Sequence, residues 1–200
     1  MSSFHLSFRR VCGLLCALPI VSVGGLSEHA IALPGDDIVA VQRWIDNHPS
    51  LPPAAIPGTL RVSRSDIPGQ RMTFQAWRVL PGFFEDEPVD FIRSEQIEVR
   101  DELQLVSPDR LERVLRDLYG SDIHQDYRDA AEVYSYSRFD GRSIPEAARE
   151  VESGVLLQGD RFAYWVRLFF TEAGDPVVGQ LTLLQTGDRD RLEVYLRREQ

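Results

Sequence analysis

From Phe162 to Phe170 the chain reads FAYWVRLFF, with Arg167 its only charged residue. Side chains of a strand alternate between two faces, so a segment apolar at odd and even positions alike needs cover on both sides. That requirement points to a sheet buried between layers, with this segment as a central strand. The cover is easy to find. Ser107-Pro108 supplies a capping side chain and a proline at the first helical position. Leu111, Val114, Leu115, Leu118 and Tyr119 then follow at helical spacing, and Gly120 is expected to close the helix as a left-handed cap.

The rest of the chain reads mostly as strands. Thr59–Ser63 and Arg71–Val79 form two, joined across Asp66-Ile67-Pro68-Gly69, with Met72, Phe74 and Ala76 on one face. Another strand or two runs from Val89 to Val106, and Val133–Arg138 alternates as a strand does. Val155–Gln158, Arg161–Thr171 and Val177–Gln185 make a meander, and Asp188–Arg198 favours a helix. Ser143-Ile144-Pro145 opens a short helical turn reaching about Glu150, and Glu85-Asp86-Glu87 beside Phe83-Phe84 reads as an exposed acidic loop. The expectation is an α+β domain over 59–200, a mainly antiparallel sheet of five to seven strands packed with two to three helices.

Residues 33–58 precede that domain as a helical arm and a connector. Asp36 and Asp37 open a helix with Ile38, Val41, Trp44 and Ile45 on one face, which Pro49 ends. NHPSLPPAAIPG then places four prolines in twelve residues, a stiff link. The arm lies on the body or faces a partner.

Residues 1–32 read as a signal peptide: Arg9 and Arg10, an apolar stretch from Val11 to Leu26, then Ala30-Ile31-Ala32 as a cleavage pattern. The stretch is short for a bilayer span, which needs ~20 residues. A retained anchor is the alternative. Cleavage after Ala32 takes Arg9, Arg10 and Glu28 from totals of 22 basic and 31 acidic residues, leaving 20 against 30, a formal −10. That balance disfavours nucleic acid and anionic lipid surfaces. No later stretch reaches membrane-spanning length, so the expected location is the periplasm, thylakoid lumen or extracellular space.

Residue types narrow the chemistry further. Every basic residue is Arg, which excludes lysine Schiff bases, pyridoxal phosphate attachment and the phosphate-loop lysine. Cys12 and Cys16 leave with the signal peptide, and only His48 and His124 remain. The mature chain therefore has no thiol nucleophile, thiolate metal site or three-histidine centre.

Two constellations remain. Asp122, His124 and Asp126, if extended, share one face, where two carboxylates and an imidazole suit a divalent metal or an acid–base pair. The bland alternative is a polar connector whose acids cap turns and pair with Arg128. Tyr119, Tyr127, Tyr134, Tyr136, Tyr164 and Trp165 offer flat apolar area with a polar atom, and Tyr134, Tyr136, Tyr164 and Trp165 are the candidate lining of a ligand cleft. Their bland alternative is a place in the core or on a sheet face. No Gly-x-Ser-x-Gly elbow or phosphate-cradling glycine loop is present.

The stretches RLERVLRDLYGSDIHQDYRDAAEVYSYSR (Arg110–Arg138) and GDRFAYWVRLFF (Gly159–Phe170) resemble a group of uncharacterised exported proteins of cyanobacteria. The resemblance covers roughly half of the mature chain. It implies the periplasm or thylakoid lumen, and no activity, cofactor or site residue. The expected function is an exported, non-catalytic module binding a protein partner or small ligand, with no cofactor. The alternatives are a metal-assisted hydrolase or other enzyme using Asp122, His124 and Asp126, and a structural subunit of an exported or membrane-associated complex.

Overall fold

The computed structural model describes residues 32–56, 58–83, 89–139 and 150–199. Residues 1–31, most of the expected signal peptide, lie outside them. So do Phe84 and the acidic triplet 85–87, and the helical turn expected at 143–149.

The chain is α+β. Seven strands form one antiparallel sheet: β1 (Arg61–Arg64), β2 (Gln70–Trp77), β3 (Ser94–Asp101), β4 (Ala131–Phe139), β5 (Glu150–Gln158), β6 (Phe162–Phe170) and β7 (Pro176–Gln185). Their order is β1-β2-β3-β7-β6-β5-β4, so two meanders meet where β3 pairs with β7. Helix α1 (Ile38–Asn47) precedes the sheet, α2 (Pro108–Asp129) links the meanders, and α3 (Arg189–Arg198) ends the chain.

The two-sided apolar pattern of β6 is realised as a helix–sheet–helix sandwich. Tyr164 and Val166 face a core shared with Val41, Trp44 and Ile45 of α1 and Leu111, Leu115 and Ile123 of α2. Ala163 and Trp165 face the opposite way, into a smaller cluster with Leu156, Leu184 and the α3 residues Leu192 and Leu196. Full burial of these two leucines is worth about 3–6 kcal/mol, enough to hold a ten-residue helix in place.

Helix α1 packs on its own chain rather than standing free. Asp37 caps it by accepting from the Ala40 N–H at 2.9 Å. Trp44 stacks on Tyr119 with ring centres 5.7 Å apart and meets Phe74 at 5.2 Å. His48, just past the helix, reaches the Leu118 carbonyl at 3.0 Å. Ala32 lies in the same core.

One expectation fails at Gly120. Its φ is +78°, as a glycine stop requires, but the chain turns back into helix and continues to Asp129. Gly120 is a kink between two helical halves. The second half is held by Ile123, Asp126 and Tyr127, which continue the helical spacing of Tyr119 against the sheet.

Candidate functional site

The helical second half of α2 takes apart the expected Asp122, His124 and Asp126 cluster. On a helix, residues two apart point about 200° apart, so His124 faces away from both carboxylates. Asp122 is exposed and accepts from Ser121. The imidazole Nε2 of His124 lies 2.7 Å from Glu112 Oε1, which ties the two halves of α2 together across the kink. Asp126 is buried and accepts from the Arg161 and Phe162 N–H groups at 2.9 and 3.3 Å and from the Tyr164 hydroxyl at 2.6 Å. A side chain at Gly159 would run into its carboxylate. Asp126 is therefore the anchor of the turn leading into β6. Among the described residues no three His, Cys, Asp or Glu side chains converge as metal ligands do.

The four expected cleft aromatics divide by face. Tyr164 points into the α1–α2 core, packs edge-on against Tyr127 at 5.3 Å and is tied to Asp126. Burial and the Asp126 carboxylate both push its phenol above its usual range. Tyr134, Tyr136 and Trp165 lie together on the α3 side. Tyr134 stacks against Tyr136 at 6.1 Å and carries the Arg197 guanidinium 4.2 Å above its ring.

Sheet register extends that side into a polar row. Tyr136 faces Gly154, Gly154 faces Arg167, Arg167 faces Gln180, and Gln180 faces Glu98. Gly154 is glycine because the Tyr136 ring lies across it; a Cβ there would overlap the ring. Lying flat, Tyr136 donates its hydroxyl to Glu152 at 2.6 Å. Burial first, then that carboxylate, pushes the phenol up, so it stays a neutral donor. Arg138 reaches Glu152 at 3.1 Å and Arg167 approaches it at 3.8 Å. Arg167 also donates to Gln180 Oε1 at 2.5 Å, and Gln180 passes the chain on to Glu98 at 2.7 Å.

Above this row is a cavity of about 240 Å³. Arg138, Arg167, Gln96 and Gln180 form its polar floor, and Trp77, Trp165 and Tyr195 its aromatic walls. The Arg167 guanidinium lies 3.8 Å from the Trp165 ring centre, a cation–π stack that fixes its plane. Burial lowers the Arg167 pKa, as it does for any cation drawn out of water. Gly82 completes the rim at φ +87°, where a Cβ would stand 2.7 Å from the Tyr195 ring.

Two buried guanidinium N–H donors here lack a hydrogen-bond partner, Nε of Arg138 and Nε of Arg167. The Trp165 indole N–H is directed at the Tyr136 hydroxyl and draws the pKa of that phenol down. Each buried unpaired donor costs about 1–3 kcal/mol, and both belong to residues lining one cavity. A groove of about 200 Å³ between β2 and α2 has no such buried unpaired donor among its lining residues. Two of its three arginines are engaged, Arg64 by Asp66 and the Ser50 carbonyl and Arg110 by Asp101.

Of the residues in this site, Tyr134, Tyr136 and Trp165 are visible in the sequence as aromatics with a polar atom. Arg138, Glu152, Gln180, Gln96 and Trp77 were not singled out. A usable signal was Arg167, the lone charge in an otherwise apolar central strand. A cation there needs partners on the neighbouring strands.

No family model matches this chain, and neither a curated protein nor a solved structure is found similar to it.

Proposed function

We propose that this chain is an exported, non-catalytic module that binds a small ligand in the cavity between the sheet and α3. The observation that carries the reading is a cavity with aromatic walls lined by two arginines, each of which keeps an unpartnered buried Nε donor. The groups lining it bind and orient. Two arginines, two glutamines and two indoles are donors and flat surfaces, and Tyr195 is the one lining residue among those described with an acid–base hydroxyl. Export is supported by the Arg9-Arg10, apolar and Ala30-Ile31-Ala32 pattern. Among the described residues no helix is long and apolar enough to cross a membrane.

The test is native mass spectrometry on protein recovered under mild conditions from its own host, beside an Arg138→Gln variant handled identically. The reading predicts a small-molecule adduct on the wild-type chain that is lost or reduced in the variant. A bare wild-type chain, or an adduct retained equally by the folded variant, overturns it. A second protein that travels with both forms alike, in place of the adduct, moves the function to another surface.

A further inference from the structure

Resting on that reading, we infer that the cavity takes a small organic carboxylate with a flat apolar body. The first argument is charge. Among the described residues Arg138 and Arg167 line the cavity and no carboxylate does. Glu152 lies behind them, its side chain only 10% exposed and bonded to Tyr136, against 31% for Arg138 and 17% for Arg167. The two guanidinium groups are what the cavity surface presents, while the carboxylates that offset them, Glu152 and Glu98, are bonded behind the lining residues. A locally positive cavity in a chain of net charge −9 is selective for an anion that can enter it, since the surrounding acidic surface disfavours large polyanions.

The second argument is hydrogen-bond stoichiometry. Arginine and indole only donate, and the cavity's main side-chain acceptor, Gln180 Oε1, is already taken by Arg167 and Gln96. The unpaired Nε atoms belong to guanidinium groups, whose fork geometry matches the two oxygens of a carboxylate. A change of rotamer at Arg138, the more exposed of the two, turns that fork toward an incoming acceptor.

The third argument is shape. The walls are Trp77, Trp165 and Tyr195 with Pro81, flat and apolar. A cavity of about 240 Å³ holds roughly eight water-sized groups at ~30 Å³ each, the size of a single substituted ring. A free inorganic anion would satisfy the floor and leave the walls empty.

Isothermal titration with benzoate, benzamide and benzylamine tests this at fixed pH and low ionic strength, on host-recovered protein dialysed until native mass spectrometry shows the bare chain. We expect saturable one-to-one binding of benzoate, at least tenfold weaker binding of benzamide, and none of benzylamine. Arg138→Gln should weaken benzoate at least tenfold, whereas Asp122→Ala should leave it unchanged. Circular dichroism of each variant checks that it is folded, and Arg138 is chosen because it is the more exposed of the two arginines. Absence of saturable benzoate binding overturns the carboxylate assignment, as does benzamide or benzylamine binding as tightly as benzoate. An uncharged adduct on the host-recovered chain would then leave the cavity as a binding site with a different ligand class. A bare chain removes both readings.

Discussion

Glu95 is a costly residue for the fold to bury, and its replacement by glutamine should change how stability depends on pH. It lies on β3, fully buried, and accepts from the Tyr119 hydroxyl at 2.7 Å, while its other oxygen has no partner. Burial, only partly offset by the Tyr119 hydrogen bond, raises its pKa from 4.5 to about 8. Below about pH 4.5 the folded and unfolded chains both keep this proton. Between there and about 8 the folded chain keeps it while the unfolded chain releases it, so stability falls as pH rises. The interval of about 3.5 pH units, at about 1.4 kcal/mol each, sets an upper limit of roughly 5 kcal/mol. That is large beside a whole-domain stability of about 5–15 kcal/mol. Asp101 and Glu193, whose pKa values are lowered, are ionised in both states above about pH 5 and add no slope there. Glu95→Gln keeps an acceptor for Tyr119 and removes the titration. Urea unfolding from pH 5 to 9 should show wild-type stability falling by at least ~2 kcal/mol and the variant's staying nearly level. A wild-type curve that is flat or rising, with the variant parallel to it, would refute the argument.

Three further outcomes follow from single contacts. Asp126→Ala strands two backbone N–H groups and the Tyr164 hydroxyl; at about 1–3 kcal/mol for each lost acceptor, urea unfolding should show a loss of 3 kcal/mol or more. Gly120→Ala meets nothing within 4 Å, so its cost is backbone strain at φ +78°, about 1–3 kcal/mol by thermal unfolding. Gly154→Ala has the opposite origin: it drives Tyr136 off Glu152, and should cost about 1–3 kcal/mol while shifting the Tyr136 ring resonances.

The architecture was legible because burial periodicity is a local signal. FAYWVRLFF demanded two covered faces, and the α2 residues at helical spacing and the α3 leucines supply the cover on opposite sides. Strand order was not legible, since the β3–β7 pairing joins residues 78 to 90 positions apart and nothing local specifies it. The region after Gly120 misled for a physical reason: glycine at positive φ signals a stop, yet Ile123 and Tyr127 find a core to pack on and restart the helix. The helix turns His124 away from Asp122 and Asp126, and the buried acid becomes an anchor. The site itself was half legible. Aromatics with polar atoms were visible as a group, but which of them share a face depends on strand register. The pairing of Arg138 and Arg167 with Glu152 comes from three different strands.

The account's central claim is that this protein binds on the α3 side of its sheet, and its three tryptophans report on that directly. Trp77 and Trp165 line the cavity, while Trp44 is packed under α1 on the opposite face. A ¹H–¹⁵N correlation spectrum of the labelled chain resolves the three indole N–H signals, assigned by single Trp→Phe replacements. It would be recorded before and after addition of a small-molecule extract of the host. The account predicts that the Trp165 and Trp77 signals move and the Trp44 signal stays. Movement of Trp44 alone, or no movement at all, would contradict it.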